Sequence, residues 1–299
     1  MKENVNLVLL NKNYLFFKRY CGKIRIFNCY HISSMGFWGK LFRLIINDIG
    51  IIMNGLFFDG WYKKLKKGEK VIFFDEVSLR PRMIKIMNKY YKQCVLYLWN
   101  PVCSIRTFKN IYKVRCPICT FSLQDSKRYR FSYVGTFYSC LKEDYRNQEH
   151  IKYDFLFVGK NKNRYNRILK FEELVSNKYT SFIRVISDKD KMVPYNQYLS
   201  YVLNSKCLVE FIQREESCET LRVMESIYFN KKLITENASV SKMPYYNSKN
   251  ILILTEFTSI EEINSFMQTE SDFSSYDFFR SFYSLDSFVE RILMEVFNT

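Results

Sequence analysis

Short apolar runs that end in polar or turn-forming residues alternate along this chain with segments of helical apolar spacing. No other feature restricts the fold as much. Residues 70–74 (KVIFF) end in Asp75 and Glu76, and 94–99 (CVLYLW) close at Asn100-Pro101. Residues 153–158 (YDFLFV) end at Gly159, and 207–212 (CLVEFI) run into a polar loop. Runs at 23–27, 181–186, 232–235 and 250–254 also read as strands, and 115–121 and 131–137 read as extended. Helical spacing covers 36–58, 79–91, 164–175, 194–203, 220–229 and 285–297, with Pro81 and Pro194 in first turns, where proline is tolerated. Ser122, with Asp125 three residues later, opens a further short helix. Strands alternating with helices require a parallel sheet covered on both faces, so the fold class is α/β.

Length and charge divide the chain. Its 299 residues suit two domains, with 47% hydrophobic residues to fill their cores. Residues 1–150 carry 27 Lys/Arg against 10 Asp/Glu, a net of +17, and residues 151–299 carry 19 against 20, a net of −1. The polar segment 141–150 is the expected linker, with domains at 1–145 and 151–299 facing a cleft. A basic first domain calls for an anionic partner: nucleic acid, an acidic membrane surface or a phosphorylated acceptor.

Several classes are disfavoured. The start is not that of a signal peptide. The most apolar stretch, 41–58, contains Arg43, Asn47, Asp48 and Asn54, which suits a buried or interfacial helix better than a span. A soluble cytoplasmic protein is expected. Nine cysteines without framework spacing read as reduced thiols, including the single C-x-x-C at Cys116 and Cys119. Neither His31 nor His150 has a metal-ligand partner motif, so no metal and no cofactor are expected. G-x-S-x-G, Walker and G-x-G-x-x-G motifs are absent, which disfavours serine hydrolases, P-loop enzymes and the usual dinucleotide oxidoreductases.

Ligands of open parallel sheets bind at the carboxyl ends of strands. Gly159 stands at one such end, before the cationic loop 160–164. Residues 213–225 (QREESCETLRVME) run from a strand end into a helix. Gln213, Ser217, Thr220, Arg222 and Glu225 are the donor-binding candidates there. The free N–H groups of a helix start attract a phosphate, Arg222 offers a planar fork to it, and Glu225, three residues on along the same face, suits a sugar hydroxyl. Asp75 and Glu76 end a strand of the first domain and are the candidate general bases. Lys63, Lys64, Lys66 and Lys67, beside Trp61 and Tyr62, read as an acceptor or membrane surface.

At these residues the chain resembles a bacterial family of GT-B glycosyltransferases whose members include lipopolysaccharide core biosynthesis proteins, the RfaS/WaaS rhamnosyltransferase among them. The resemblance spans roughly 153–254 and takes in 153–159, 198–207, Gln213, 220–222, Glu225, 231–235, Asn237 and 246–247. In the first half, Phe121 and Asp125 are similar to a family Phe-Asp-x-x-Asp, with Ser122 in place of the first acid. It implies two Rossmann-like doubly wound domains, an N-terminal one for the acceptor and a C-terminal one for a nucleotide-sugar. It further implies metal-independent transfer of a deoxysugar such as rhamnose, from dTDP-rhamnose, to a lipopolysaccharide core or other surface-polysaccharide acceptor at the inner membrane. The family's pair of acids eight residues apart is not kept, since Ser217 stands eight before Glu225. The rival readings are a basic nucleic-acid-binding protein, which no recognised binding module supports, and a non-catalytic peripheral membrane protein.

Overall fold

The computed structural model describes residues 5–9, 15–18, 20, 22–30, 39, 41–42, 45, 61–64, 68–75, 79–102, 105, 108–139, 150–187, 190–191, 193–212 and 220–297. The chain divides into two compact units. The first comprises 1–137 with 285–299, and the second comprises 138–284.

In the first unit, six strands form one sheet: β1 (Val5–Leu9), β2 (Arg25–Asn28), β3 (Lys70–Phe74), β4 (Cys94–Leu98), β5 (Ile118–Thr120) and β6 (Ser132–Tyr133). Their order is β2-β1-β3-β4-β5-β6, and every neighbouring pair is parallel. All five residues of β1 and of β4 are buried, as strands covered on both faces must be. Short helices α1 (Leu15–Lys18) and α2 (Trp61–Lys64) follow β1 and precede β3. Helix α3 (Pro81–Lys89) has its proline at the first helical turn and buries Met83, Ile84, Ile86 and Met87. In α4 (Leu123–Tyr129), Ser122 caps the N–H of Asp125 at 3.1 Å, as its spacing predicts. The Asp125 carboxylate, however, accepts from the Val102 N–H at 3.0 Å and so ties α4 to the loop after β4.

Helix α10 (Leu285–Phe297) belongs to this first unit, whereas the sequence reading placed it in a second domain running to residue 299. The reason is its aromatic contacts. Phe288 lies 4.7 Å from the Tyr97 ring and 4.8 Å from Phe137, and Arg291 donates to the carbonyls of Val134 at 3.1 Å and Thr136 at 2.8 Å.

The second unit is a five-stranded parallel sheet of β7 (Tyr153–Lys160), β8 (Ser181–Ile186), β9 (Ser205–Glu210), β10 (Lys232–Thr235) and β11 (Ile251–Ile253). Its order is β11-β10-β9-β7-β8. From β7 the chain goes first to β8 on one side, then to β9 on the other, so the switch point lies between β7 and β9. Helices α5 (Tyr165–Val175), α6 (Tyr195–Leu203), α7 (Leu221–Phe229), α8 (Ile260–Gln268) and α9 (Tyr276–Phe282) complete the unit. Ile168, Phe171 and Val175 of α5 pack with Phe155, Phe157 and Phe211.

Two adjacent buried lysines tie helix ends to β10. Lys231 donates to the Leu203 carbonyl at the end of α6 at 2.9 Å. Lys232 donates to the carbonyls of Phe266 and, at 2.6 Å, Thr269 beyond α8. Cations at helix C-termini satisfy orphan carbonyls and complement the dipole. Helix α8 starts in a capping box made by Ser259 and Glu262. The proposed linker 141–150 lies outside the described residues except for His150, which is exposed. The sequence reading assigned no element to 5–9, 260–268 or 276–282, which form β1, α8 and α9.

Candidate functional site

At the carboxyl edge of the second sheet, three arginines and two buried carboxylates gather around its switch point. Arg222, at the start of α7, spans it. One Nη donates to the Val158 carbonyl of β7 at 2.6 Å, and the other to the Val209 carbonyl of β9 at 3.2 Å. The guanidinium lies 5.0 Å above the Phe157 ring, a cation–π contact. Its Nε–H is buried and has no partner among the described residues. Burial opposes the charge, but Tyr198 and Glu225 outweigh it and hold the group above its ordinary pKa.

Two further arginines come from the opening of α5. Arg164 donates from Nε to the Lys160 carbonyl at 3.1 Å, and from an Nη to the Phe211 carbonyl. Gly159 makes this approach possible: a Cβ there would stand 3.1 Å from the Arg164 Nη2 and 3.2 Å from the Phe157 ring. Arg167 donates to the Ile212 carbonyl at 3.0 Å and pairs with Glu236. Burial pushes the Glu236 carboxyl up, against the opposing pull of Arg167. Cations at a helix N-terminus oppose its dipole, at a cost of roughly 0.3–1 kcal/mol each. Here that cost is offset by carbonyls presented at the ends of β7 and β9.

Beneath the arginines, two buried carboxylates hold the helix starts. Glu210, the last residue of β9, accepts from the Thr220 hydroxyl and, at 2.5 Å, from the Thr235 hydroxyl. Thr220 is also the N-cap of α7, accepting from the Arg222 N–H at 3.2 Å. One carboxylate therefore joins β9, β10 and α7. Glu225, one turn further along α7, is 2% exposed. Its two oxygens accept from the Tyr195 and Tyr198 hydroxyls of α6, each at 2.7 Å. A third tyrosine, Tyr138, lies 2.9 Å from the Tyr195 hydroxyl. Burial pushes the Glu225 carboxyl up to about 7, against Arg222 and the two hydroxyls, which pull it down.

The sequence candidates thus part ways. Gly159, Thr220 and Arg222 meet at the switch point. Glu225 shares a helix face with Arg222, as its spacing predicts, but faces α6 tyrosines rather than a surface from which to meet a sugar. Gln213 and Ser217 lie outside the described residues. Arg167, Glu210, Glu236 and the pair Tyr195 and Tyr198 were not singled out as site residues. For Arg167 a signal existed, an Arg-x-x-Arg spacing that opens the helix after Gly159.

In the first unit, Asp75 follows β3 and is buried. It accepts from the Asn100 N–H at 2.9 Å and from the Asn100 Nδ2 at 3.1 and 3.2 Å. Glu76, Lys66 and Lys67 lie outside the described residues, as does the side chain of Lys64. Lys63 is exposed. Trp61 does not share its surface. The indole is 2% exposed, packs edge-on at 5.5 Å against Phe73 and donates to the Cys29 carbonyl at 3.0 Å. The expected aromatic–cationic surface therefore loses its tryptophan to the core. Cys116 and Cys119 are buried free thiols, pushed up to about 12 by burial, which suits packing rather than redox chemistry. Among the described residues, no cluster of His, Cys, Asp and Glu could hold a metal, and no helix is long and apolar enough to cross a membrane.

The chain matches no protein-family model and no curated protein sequence. It is similar in structure to a lipopolysaccharide outer core galactosyltransferase, WaaB, in its apo form, with a TM-score of 0.53 and 11% identity over 99% of both chains. It is also similar to the N-terminal domain of a trehalose-6-phosphate phosphatase from Candida albicans, at 0.50 and 8% over 99% of this chain and 94% of that one. AviGT4, a glycosyltransferase involved in avilamycin A biosynthesis, follows at 0.48 and 9%, over 98% and 97%. At such identities the first two likenesses carry the fold alone, and the chain has that fold: two Rossmann-like, parallel-sheet α/β units.

Proposed function

We propose that the protein is a glycosyltransferase that binds a nucleotide-sugar on its second unit. The observation that carries this reading is the set of three guanidiniums, Arg164, Arg167 and Arg222, at the switch point of the β7–β9 edge. A diphosphate leaving group needs preorganised positive charge where its own charge develops. The start of α7, with Thr220 as its cap, supplies backbone N–H groups in the same place. Gln213 and Ser217 extend this donor site, and the cationic side chains serve without a bound metal or other cofactor.

The acceptor falls to the basic first unit, and the general base to Asp75 or Glu76. Asp75 already accepts from both the N–H and the Nδ2 of Asn100, which makes Glu76 the better candidate of the two. The +17 charge of residues 1–150 fits an anionic glycolipid of the lipopolysaccharide core type, reached from the cytoplasmic face of an anionic membrane. Lys63, Lys64, Lys66 and Lys67 are the surface proposed for that contact. The sugar proposed is a deoxyhexose such as rhamnose, carried by dTDP, on the sequence resemblance.

The test is release of nucleoside diphosphate from dTDP-rhamnose and a panel of UDP-hexoses, with and without a bacterial glycolipid extract. Acceptor-dependent release from one donor is expected. Release from none, by protein shown to be folded, would contradict the reading.

A further inference from the structure

Glu225 sits in a chain of hydroxyls that can run in either direction. The carboxyl is 2% exposed, and its two oxygens meet the Tyr195 and Tyr198 hydroxyls of α6 at 2.7 Å each. Tyr138 and Tyr195 stand 2.9 Å apart, and either oxygen can supply the proton between them. Both protonation states of Glu225 are therefore hydrogen-bonded with the same heavy-atom positions. When the carboxylate is ionised, Tyr138 donates to Tyr195, and Tyr195 donates to Glu225. When it is neutral, Glu225 donates to Tyr195, and Tyr195 donates to Tyr138. Tyr198 donates to the second oxygen in both states. Only hydroxyl hydrogens turn. Leaving a buried polar group unsatisfied costs about 1–3 kcal/mol in general, and this chain avoids that loss on either side of the titration.

At its other end the network meets the arginine-lined edge. The Arg222 guanidinium lies 5.9 Å from the centre of the Tyr198 ring, and Tyr198 and Glu225 both support its charge. The same guanidinium holds the Val158 and Val209 carbonyls at the switch point. The other charges on elements packed around α7 have partners of their own. Glu210 of β9 is held by Thr220 and Thr235. At β10, Lys231 is turned to the Leu203 carbonyl and Lys232 to those of Phe266 and Thr269. On α9, Arg280 is turned to Asp277 and to the Tyr228 carbonyl near the far end of α7. Of the charges that bear on Glu225, Arg222 acts most strongly.

We propose that Glu225 is a positioning residue for Arg222 and a proton switch on its charge: neutral Glu225 leaves the full guanidinium charge to a diphosphate, and ionised Glu225 draws that charge inward. A nucleotide-sugar then binds together with a proton, which the Glu225 carboxylate takes from solvent. The coupling is reciprocal, since an anion beside Arg222 raises the proton affinity of Glu225 by as much as the proton raises the affinity for the anion. Burial already brings this carboxyl up to about 7, so the switch works near neutral pH. This deepens the donor-site reading and rests on it.

The experiment is isothermal titration calorimetry of the full chain with UDP-glucose, UDP-galactose, dTDP-glucose and dTDP-rhamnose. Binding is measured at pH 6 and 8.5, and at pH 7.5 in two buffers of unlike ionisation enthalpy. A free nucleoside diphosphate has a terminal phosphate that itself ionises near roughly 6; in these sugar esters that group is capped, so a proton taken up goes to the protein. Wild type is compared with Glu225→Gln, whose amide keeps both tyrosine contacts, and with Glu236→Gln, the other acid at this edge that burial pushes up. Half a pKa unit of coupling is about threefold in affinity. Wild type is expected to bind at least that much more tightly at pH 6 than at 8.5, and to take up part of a proton at pH 7.5. Glu225→Gln should do neither, and Glu236→Gln should keep the wild-type ratio between the two pH values. The switch is overturned if wild type binds equally at both, if Glu225→Gln keeps the ratio, or if Glu236→Gln loses it. Should Glu225→Gln not fold, proton uptake by wild type and by Glu236→Gln decides. Binding without pH dependence removes only the switch, whereas no binding of any donor at either pH removes the donor reading and the switch with it.

Discussion

Arg222 donates to the Val158 carbonyl at 2.6 Å, so a side chain of α7 closes the carboxyl end of a strand 64 residues away in sequence. The same guanidinium reaches Val209 of β9. It therefore ties the two strands that flank the switch point. On the donor site proposed above, stability and ligand binding would be coupled at this residue.

Arg222→Ala is accordingly expected to cost about 3 kcal/mol of stability, from two lost charge-assisted hydrogen bonds at a buried position. It should also abolish nucleotide binding under conditions where the variant is still folded. Arg222→Lys keeps the charge and loses the fork, so it should bind nucleotide weakly and recover only part of the stability. Urea unfolding and nucleotide titration of both variants check this. Wild-type affinity in folded Arg222→Ala would confine the residue to a structural role.

Glu225 should make stability fall as pH rises. Its carboxyl ionises near 7 in the fold and near the ordinary 4.5 in the unfolded chain. Between those values the native state holds a proton that the unfolded state has lost. The stabilisation is therefore complete below about 4.5 and gone above about 7, a span of about 3 kcal/mol. Glu225→Gln keeps the shape without the proton. Its urea midpoint should lose this downward slope between pH 5 and 8, and it should exceed wild type at pH 8. Parallel slopes for the two proteins would show that another group carries the dependence.

The carboxylate of Glu210 offers a third check. Thr220→Ala removes both the cap of α7 and one of the two hydroxyls that Glu210 accepts from. A cap alone is worth roughly 0.5–2 kcal/mol. Leaving Glu210 short of a donor in a buried site adds to that, so a loss toward or above the upper end is expected. Thr235→Val removes the other hydroxyl, which also accepts from the buried Asn237 N–H at 3.0 Å, so its cost should be comparable. Chemical denaturation of the two single variants and the double variant measures the coupling. Strict additivity would mean that the two hydroxyls do not act through one carboxylate.

Much of this architecture was legible in the sequence. The runs at 70–74, 181–186 and 232–235 are strands over those same residues; β3 and β10 are buried and read as largely apolar segments, whereas β8, at the sheet edge, leaves Arg184 exposed. Ser122 announced its helix through cap chemistry, which is local. Strand β1 was passed over because Asn6 interrupts its run; that amide is buried and donates to the Lys70 carbonyl at 3.2 Å, a partner 64 residues away. The membership of α10 depends on Tyr97 and Phe137, which no local pattern ties to Phe288. At the site, Gly159, Thr220 and Arg222 were readable because strand ends and helix starts are visible in sequence. The tyrosine partners of Glu225 were not, since α6 and α7 meet only in the folded unit.

Asp75 and Glu76 separate by kinetics once a donor and an acceptor are in hand. Loss of a general base typically costs 10²–10⁴ in rate. Glu76→Gln is expected to fall in that range, with nucleotide affinity unchanged. Asp75→Asn, which weakens the bonds to Asn100, is expected to cost stability more than rate. Near-normal turnover in both folded variants would move the base to another acid.

The central claim is that the arginine-lined edge of the second sheet holds a nucleoside diphosphate. Thermal unfolding of the full chain with dTDP, UDP, GDP, ADP and inorganic phosphate tests it most directly. A ligand present at about 100 times its Kd adds roughly 2.7 kcal/mol, which corresponds to a rise of several degrees in Tm. The account predicts such a rise with dTDP or UDP, little with phosphate alone, and none in the folded Arg164→Ala, Arg167→Ala double variant. No shift with any nucleoside diphosphate, or an equal shift in the double variant, would contradict it.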